Sequence, residues 1–160
     1  MTDVDLDSAF TSLENSASRF NSVSDTANRA LADAEARLVG LNIGIEVWHQ
    51  TGIEISLPTG RSGADDTRDH IIDVLGFARI NGKWCFAVQK VRKTSGFFEG
   101  DLSCPYTDEF LESPPVPLLK QSRSVRINAL KQLPAFLKQV NEEVNATTLN
   151  LTDTIEALAS

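Results

Sequence analysis

Asp65, Asp66, Asp69 and His70 bring three carboxylates and an imidazole into one short stretch, a donor mix that suits a hard or borderline cation. Their spacing matches no EF-hand or zinc signature, and no Glu stands where a calcium loop would need one. A solvated loop is the stronger reading. Pro58-Thr59-Gly60-Arg61-Ser62-Gly63 is glycine-spaced and carries an Arg, as a phosphate cradle does, but no helix start and no Gly-Lys-Ser/Thr ending follow it. Cys104 with His49 or His70 could form a thiolate–base pair, and Glu46 with Glu54 could act as paired carboxylates across a hairpin. Two cysteines and two histidines offer the first pairing in almost any chain, and the two glutamates fall on the expected polar face. No catalytic residue, metal ligand or cofactor is assigned, and the chain is read as a non-enzyme.

The pattern that does stand out is a stripe of period 3.5 at both ends. Leu6, Phe10, Leu13, Ala17, Phe20, Ser24, Ala27, Leu31, Ala34, Leu38 and Leu41 recur at alternating spacings of four and three. Leu130, Leu133, Leu137, Val140, Val144, Thr147, Leu151, Thr154 and Leu158 hold the same rhythm. Such spacing keeps one seam of a helix facing a partner, as in a coiled coil. The first helix is expected over Asp3 to Val39, with Gly40 at its end. Its first half is rich in Ser, Asn, Thr and Asp, so residues 1–28 are expected to form a projecting extension that needs a neighbour to stay helical. The second helix starts near Ser122 or Ser124, and its register runs through Pro134, which favours one kinked helix. A helix of about 36 residues spans about 54 Å, whereas a ten-residue strand spans about 33 Å. A sheet cannot cover either helix along its length. The overhang is expected to pack on the other terminal helix, with the two ends antiparallel, or on a second protein.

Between the helices the period falls to two. Ile43, Ile45 and Val47 alternate with polar neighbours, as do Ile53, Ile55 and Leu57, which predicts a hairpin around His49-Gln50-Thr51-Gly52. A second hairpin turns at Asn81-Gly82, the pair best able to take positive φ at both central positions. That turn sets Phe77 opposite Phe86, Leu75 opposite Val88, Arg79 opposite Trp84 and Asp73 opposite Lys90. The stretch 94–121 holds four prolines together with Phe97, Phe98, Tyr106 and Phe110, and reads as a long irregular loop lying against the body or a partner. Trp48 falls on the polar face of its strand, where an aromatic is either covered or awaiting a partner. The fold expected is therefore α+β in a single domain, 1–160: a long N-terminal helix, a four-stranded antiparallel meander, a long irregular loop, and a C-terminal helix packing on the N-terminal one as a coiled-coil-like pair.

Composition narrows the function classes. Over 160 residues the net charge is −7 and the sequence pI about 4.8, a surface that repels phosphate backbones at long range. The small basic clusters Lys90–Arg92–Lys93 and Lys120–Arg123–Arg126 read as solvated surface. No signal-peptide pattern or membrane-length apolar run is present, so a cytoplasmic location is expected. The function expected is a protein–protein interaction module, an adaptor, assembly or scaffold component. It docks another protein or a second copy through Leu6, Phe10, Leu13, Phe20 and Trp48, with no nucleic acid or membrane as partner. The alternatives are an acidic inhibitor or immunity-type regulator of a basic protein, and a small ligand-binding enzyme using the 58–70 loop.

Overall fold

The computed structural model describes residues 6–56, 68–98 and 101–159. Helix α1 (Leu6–Gly40) leads into strand β1 (Val47–Ser56), followed by β2 (Arg68–Ile80), β3 (Lys83–Phe98) and β4 (Asp101–Leu111). A two-residue strand β5 (Val116–Pro117) and a 3₁₀ turn (Leu118–Lys120) then lead to helix α2 (Arg123–Ala159), which is continuous through Pro134. The strands lie in the order β1-β2-β3-β4, each antiparallel to the next, and β5 pairs with the part of β3 that β4 leaves free. The α+β class, the four-stranded meander and the packing of the C-terminal helix on the N-terminal one are as the sequence implied.

Two of the strands differ from the expectation. The hairpin expected around His49–Gly52 is one strand, β1, with register shifts between Trp48 and Gly52 and between Gly52 and Glu54. The shifts interrupt the pairing at His49–Thr51 and at Ile53, while Val47–Trp48, Gly52 and Glu54–Ser56 pair with the same strand, β2. The fourth strand comes from the stretch 94–121, read above as a loop. There β3 continues to Phe98, and β4 runs back along it through Pro105, which an edge strand tolerates because its outward N–H is not needed. Around Asn81-Gly82 the β2–β3 register is the one the turn dictates, with Phe77 opposite Phe86 and Asp73 opposite Lys90. Asn81 and Gly82 take φ of 49° and 81°.

One face of the sheet carries Leu75 and Phe77 of β2 and Phe86 and Val88 of β3. They pack with Val47 and Ile53 of β1, Leu31 and Leu38 of α1, and Val125, Ala129, Leu133, Phe136 and Val140 of α2. The helices also supply partners to bare stretches of β1 and β3. The Gln139 side chain donates to the Trp48 carbonyl at 2.8 Å and accepts from the Gln50 N–H at 3.4 Å, and Gln132 donates to the Gly52 carbonyl at 2.8 Å. Where β3 lacks β4, its Phe86 N–H donates to the Glu35 carboxylate of α1 at 2.7 Å. These side chains satisfy main-chain groups that would otherwise be lost to solvent or left bare.

The same bonds fix the sense of both helices. From Gln132 to Gln139, α2 moves from Gly52 to Trp48, toward the β2–β3 turn. At its start Arg123 meets Asn21 of α1 at 3.0 Å and lies over the Phe20 ring. From Asn21, α1 runs to Glu35 at Phe86, also toward that turn. The two helices thus lie side by side in the same sense rather than antiparallel, and their overhangs leave the body at opposite ends.

Candidate functional site

Two kinds of surface emerge from this architecture: the helical overhangs and the sheet face that no helix covers. The first overhang is α1 from Leu6 to Phe20. Leu6, Phe10, Leu13 and Phe20 are each more than half exposed, and the stripe they form continues into Ser24, Leu31 and Leu38, which are buried. One seam therefore serves the core in its second half and faces solvent in its first. The second overhang is α2 beyond Val140, the last buried residue of that helix, where Leu151, Ile155 and Leu158 are 59%, 65% and 84% exposed.

Trp48 lies apart from both. It sits on the uncovered sheet face, where it packs over Ile72, Val74 and Val91, all nearly buried. Its indole N–H donates to Glu46 at 2.7 Å, which ties up that carboxylate. The ring lies flat over Gly76, so close that a Cβ there would fall 2.1 Å from it. Trp48 thus covers the second, smaller apolar cluster, whereas the sequence predicts it to be either covered by another segment or awaiting a partner. Next to it is a shallow depression of about 350 Å³ lined by Trp48, Gln50, Gln89, Lys93 and Glu109 among others.

The remaining candidates disperse. Asp65 and Asp66 and the segment Pro58–Gly63 lie outside the described residues. Asp69 and His70 lie on β2 opposite Thr94 and Lys93, and no group of three or more His, Cys, Asp or Glu side chains gathers among the described residues. Cys104 is on β4, a strand that pairs only with β3, while His49 is on β1 at the opposite edge of the sheet. Cys85 is a free thiol whose pKa is pushed up by burial and by the nearby Glu35, which makes it a poor nucleophile. The cations of the first basic cluster are occupied: Lys90 by Asp73, Arg92 by both carboxylate oxygens of Glu112, and Lys93 by Glu109. In the second cluster Arg123 is taken up by α1, and Arg126 donates to the Leu119 carbonyl.

No protein-family model, characterised protein or solved structure matches this chain.

The titrating group of most interest is structural. His49 stacks on Phe136 at 5.8 Å and accepts the Thr51 N–H on Nδ1 at 2.9 Å. Its proton is therefore on Nε2, which is buried and has no partner among the described residues. Protonating Nδ1 would break the Thr51 bond, and burial already holds the His49 pKa below its ordinary value. The sign of the consequence follows. Below about pH 6.5 the unfolded chain takes up a proton that the folded chain refuses. Stability due to His49 is complete above that pH and is lost as pH falls toward the lowered folded value. Glu35 has the opposite sign: burial raises its pKa, with the Phe86 N–H pulling the other way, so acid relieves it. The expected result is that urea midpoints of the native chain fall relative to those of His49→Gln between about pH 7.5 and about pH 5.5. A difference between the two proteins that stays constant with pH would rule out this role.

Proposed function

We propose that this chain is a non-enzymatic protein–protein interaction module that docks through the helical seam of α1 between Leu6 and Phe20. The observation that carries the reading is the continuity of one stripe. Leu31 and Leu38 are buried by the chain's own sheet and second helix, while Leu6, Phe10, Leu13 and Phe20 stand in solvent at the same spacing. The sense of α2 supports it too, since that helix starts beside Phe20 and Asn21 of α1, which Arg123 meets, and leaves at the other end. Burying each of these side chains is worth about 1.5–3 kcal/mol, and the Ser- and Asn-rich arm gains its helicity from that contact. Adaptor, assembly or scaffold work fits such a module. The cytoplasm fits the free thiol of Cys85, and no described helix is long and apolar enough to cross a membrane.

The test is the paired substitution Phe10→Asp with Leu13→Asp, followed by light scattering across concentration and by partner recovery from the native source. Both sites are exposed and away from the core, so the melting temperature should move by no more than about 2 °C. Association, with a second copy or another protein, should weaken at least about tenfold. Self-association and partner recovery that survive the double substitution intact would sink the reading.

A further inference from the structure

We infer that the α1 arm of one copy of this chain packs, in parallel, on the end of α2 of a second copy, so that copies join end to end. The inference rests on the α1 reading above and names its partner. Its basis is the fit between the two overhangs. Arg123 at Asn21 sets the start of α2 level with Asn21, and Glu35 at Phe86 and Gln139 at Trp48 lie on adjacent rows of the sheet. In that alignment Gly40, the end of α1, is level with Glu142. Beyond it α2 runs on alone to Ala159, and at the other end α1 runs alone from Leu6 to Phe20. Each lone stretch is about 22 Å long. A second copy moved along the common axis therefore sets its α1 arm beside the first copy's α2 arm.

The stripes match as the lengths do. Leu130, Leu137, Val144, Leu151 and Leu158 follow at sevens along one line of α2. Leu130 and Val144 pack against the core that holds Leu31 and Leu38 of α1, whereas Leu151 and Leu158 are mostly exposed. The line that serves the core thus runs on into the arm, as the α1 stripe does from Leu38 back to Leu6. Counted from Leu6 on α1 and from Val144 on α2, both stripes step by four, three, four and three. Parallel pairing in that register sets Leu13 on Leu151, Ala17 on Ile155 and Phe20 on Leu158, with the small Ala17 leaving room for Ile155. Val144 stays in its own chain's core and marks where the joint begins. At the far end Leu158 reaches the level of Phe20, where the receiving chain's own α2 starts at Arg123. The helix pair inside each copy then continues across the joint without a gap. The carboxylates of both arms lie off these stripes, so the seam is uncharged. One contact covers both exposed stripes, and because it joins unlike surfaces it leaves a free arm at each end and propagates.

The experiment uses the full chain, with light scattering across concentration followed by mixing of two variants. The native mass should climb above 17.5 kDa as concentration rises and pass twice that value without a plateau. Phe10→Asp with Leu13→Asp in one variant, and Leu151→Asp with Ile155→Asp in the other, should each weaken self-association at least about tenfold. All four sites are exposed, so an unchanged melting temperature shows that both variants fold. Mixed one to one, the two variants should form a heterodimer and nothing larger, because each keeps the arm that the other has lost. Self-association that survives the Leu151/Ile155 change would mean that α1 meets α1, and would overturn this inference while leaving the α1 seam in place. A mixture that stays monomeric would overturn it as well. So would a native chain that remains at 17.5 kDa up to about 1 mM, and the α1 seam would then stand or fall on recovery of another protein.

Discussion

Replacing Phe136 with alanine is expected to cost about 3–5 kcal/mol of stability, the upper range for removing a buried ring. For a chain of this size that corresponds to a fall in melting temperature of about 6–20 °C. Phe136 is 0% exposed and is the point at which α2 enters the aromatic core. Its ring stacks on His49 at 5.8 Å and meets Phe86 edge-on at 6.2 Å; Phe86 in turn meets Phe77, and Phe77 stacks on Trp84 at 5.2 Å. The cavity left by alanine cannot readily close. His49 is held to the backbone at Thr51, and the flanking residues Gln132 and Gln139 hold α2 to β1 at a fixed distance. Relaxation would have to break those bonds. Leu137, the next residue, is exposed, and its alanine variant is the control, expected to lose less than about 1 kcal/mol. Denaturant melts of the two variants decide the matter. A Phe136→Ala cost close to that of Leu137→Ala would mean that α2 is not anchored through this ring.

The sequence reveals the two seams and the β2–β3 register because each rests on a strong local signal. Asn81-Gly82 admits essentially one turn, and once the turn is set the pairs from Ile80–Lys83 to Arg68–Ser95 follow by counting. The helices persist through poor formers and through Pro134 because the stripe is regular. What escaped notice lacks such a signal. β4 pairs on one edge only and carries Pro105, Asp108 and Glu109, so it shows no clean alternation. β1 contains the polar run His49–Thr51, which imitates a turn, and its register shifts break the period-two pattern on which a strand reading depends.

The relative sense of the helices was also hidden, and for an instructive reason. It is set by side chains that read as ordinary surface: Gln132 and Gln139, two turns apart on α2, and Glu35 on α1. A seven-residue spacing of glutamines carries no hydrophobic periodicity, yet here it matches one helix face to the backbone of a strand edge. The exposed stripe of α1 fared differently. Leu6, Phe10, Leu13 and Phe20 were legible because the stripe outlasts any sheet that could cover it, and they are exposed. Trp48 was legible only as an aromatic out of place, since its explanation lies in Gly76, a residue of another strand.

That pairing yields the second large effect. Gly76→Ala is expected to destabilise the chain by about 1–3 kcal/mol, the usual cost of overpacking, and Gly76→Val by more. The added Cβ would sit 2.1 Å from Cε3 and 2.5 Å from Cζ3 of Trp48, well inside any real contact. The indole must lift, losing its bond to Glu46 and uncovering Ile72, Val74 and Val91. Backbone conformation is not the cause. Gly76 is an ordinary strand residue between Leu75 and Phe77 and has no positive φ, so in an open sheet alanine would be the better residue there. The sign of the substitution thus turns on Trp48, whose ring supplies the three atoms nearest the added Cβ. In a Trp48→Ala background the Gly76→Ala cost should shrink to near zero or reverse, giving a coupling energy of about 1–3 kcal/mol in a double-mutant cycle. In a Trp84→Phe background Trp48 is the sole indole, and its emission should shift to the red in Gly76→Ala as the ring lifts into water. A cost that is the same with and without the Trp48 ring would show that Gly76 is required for some other reason, and the indole would then be free to serve a partner.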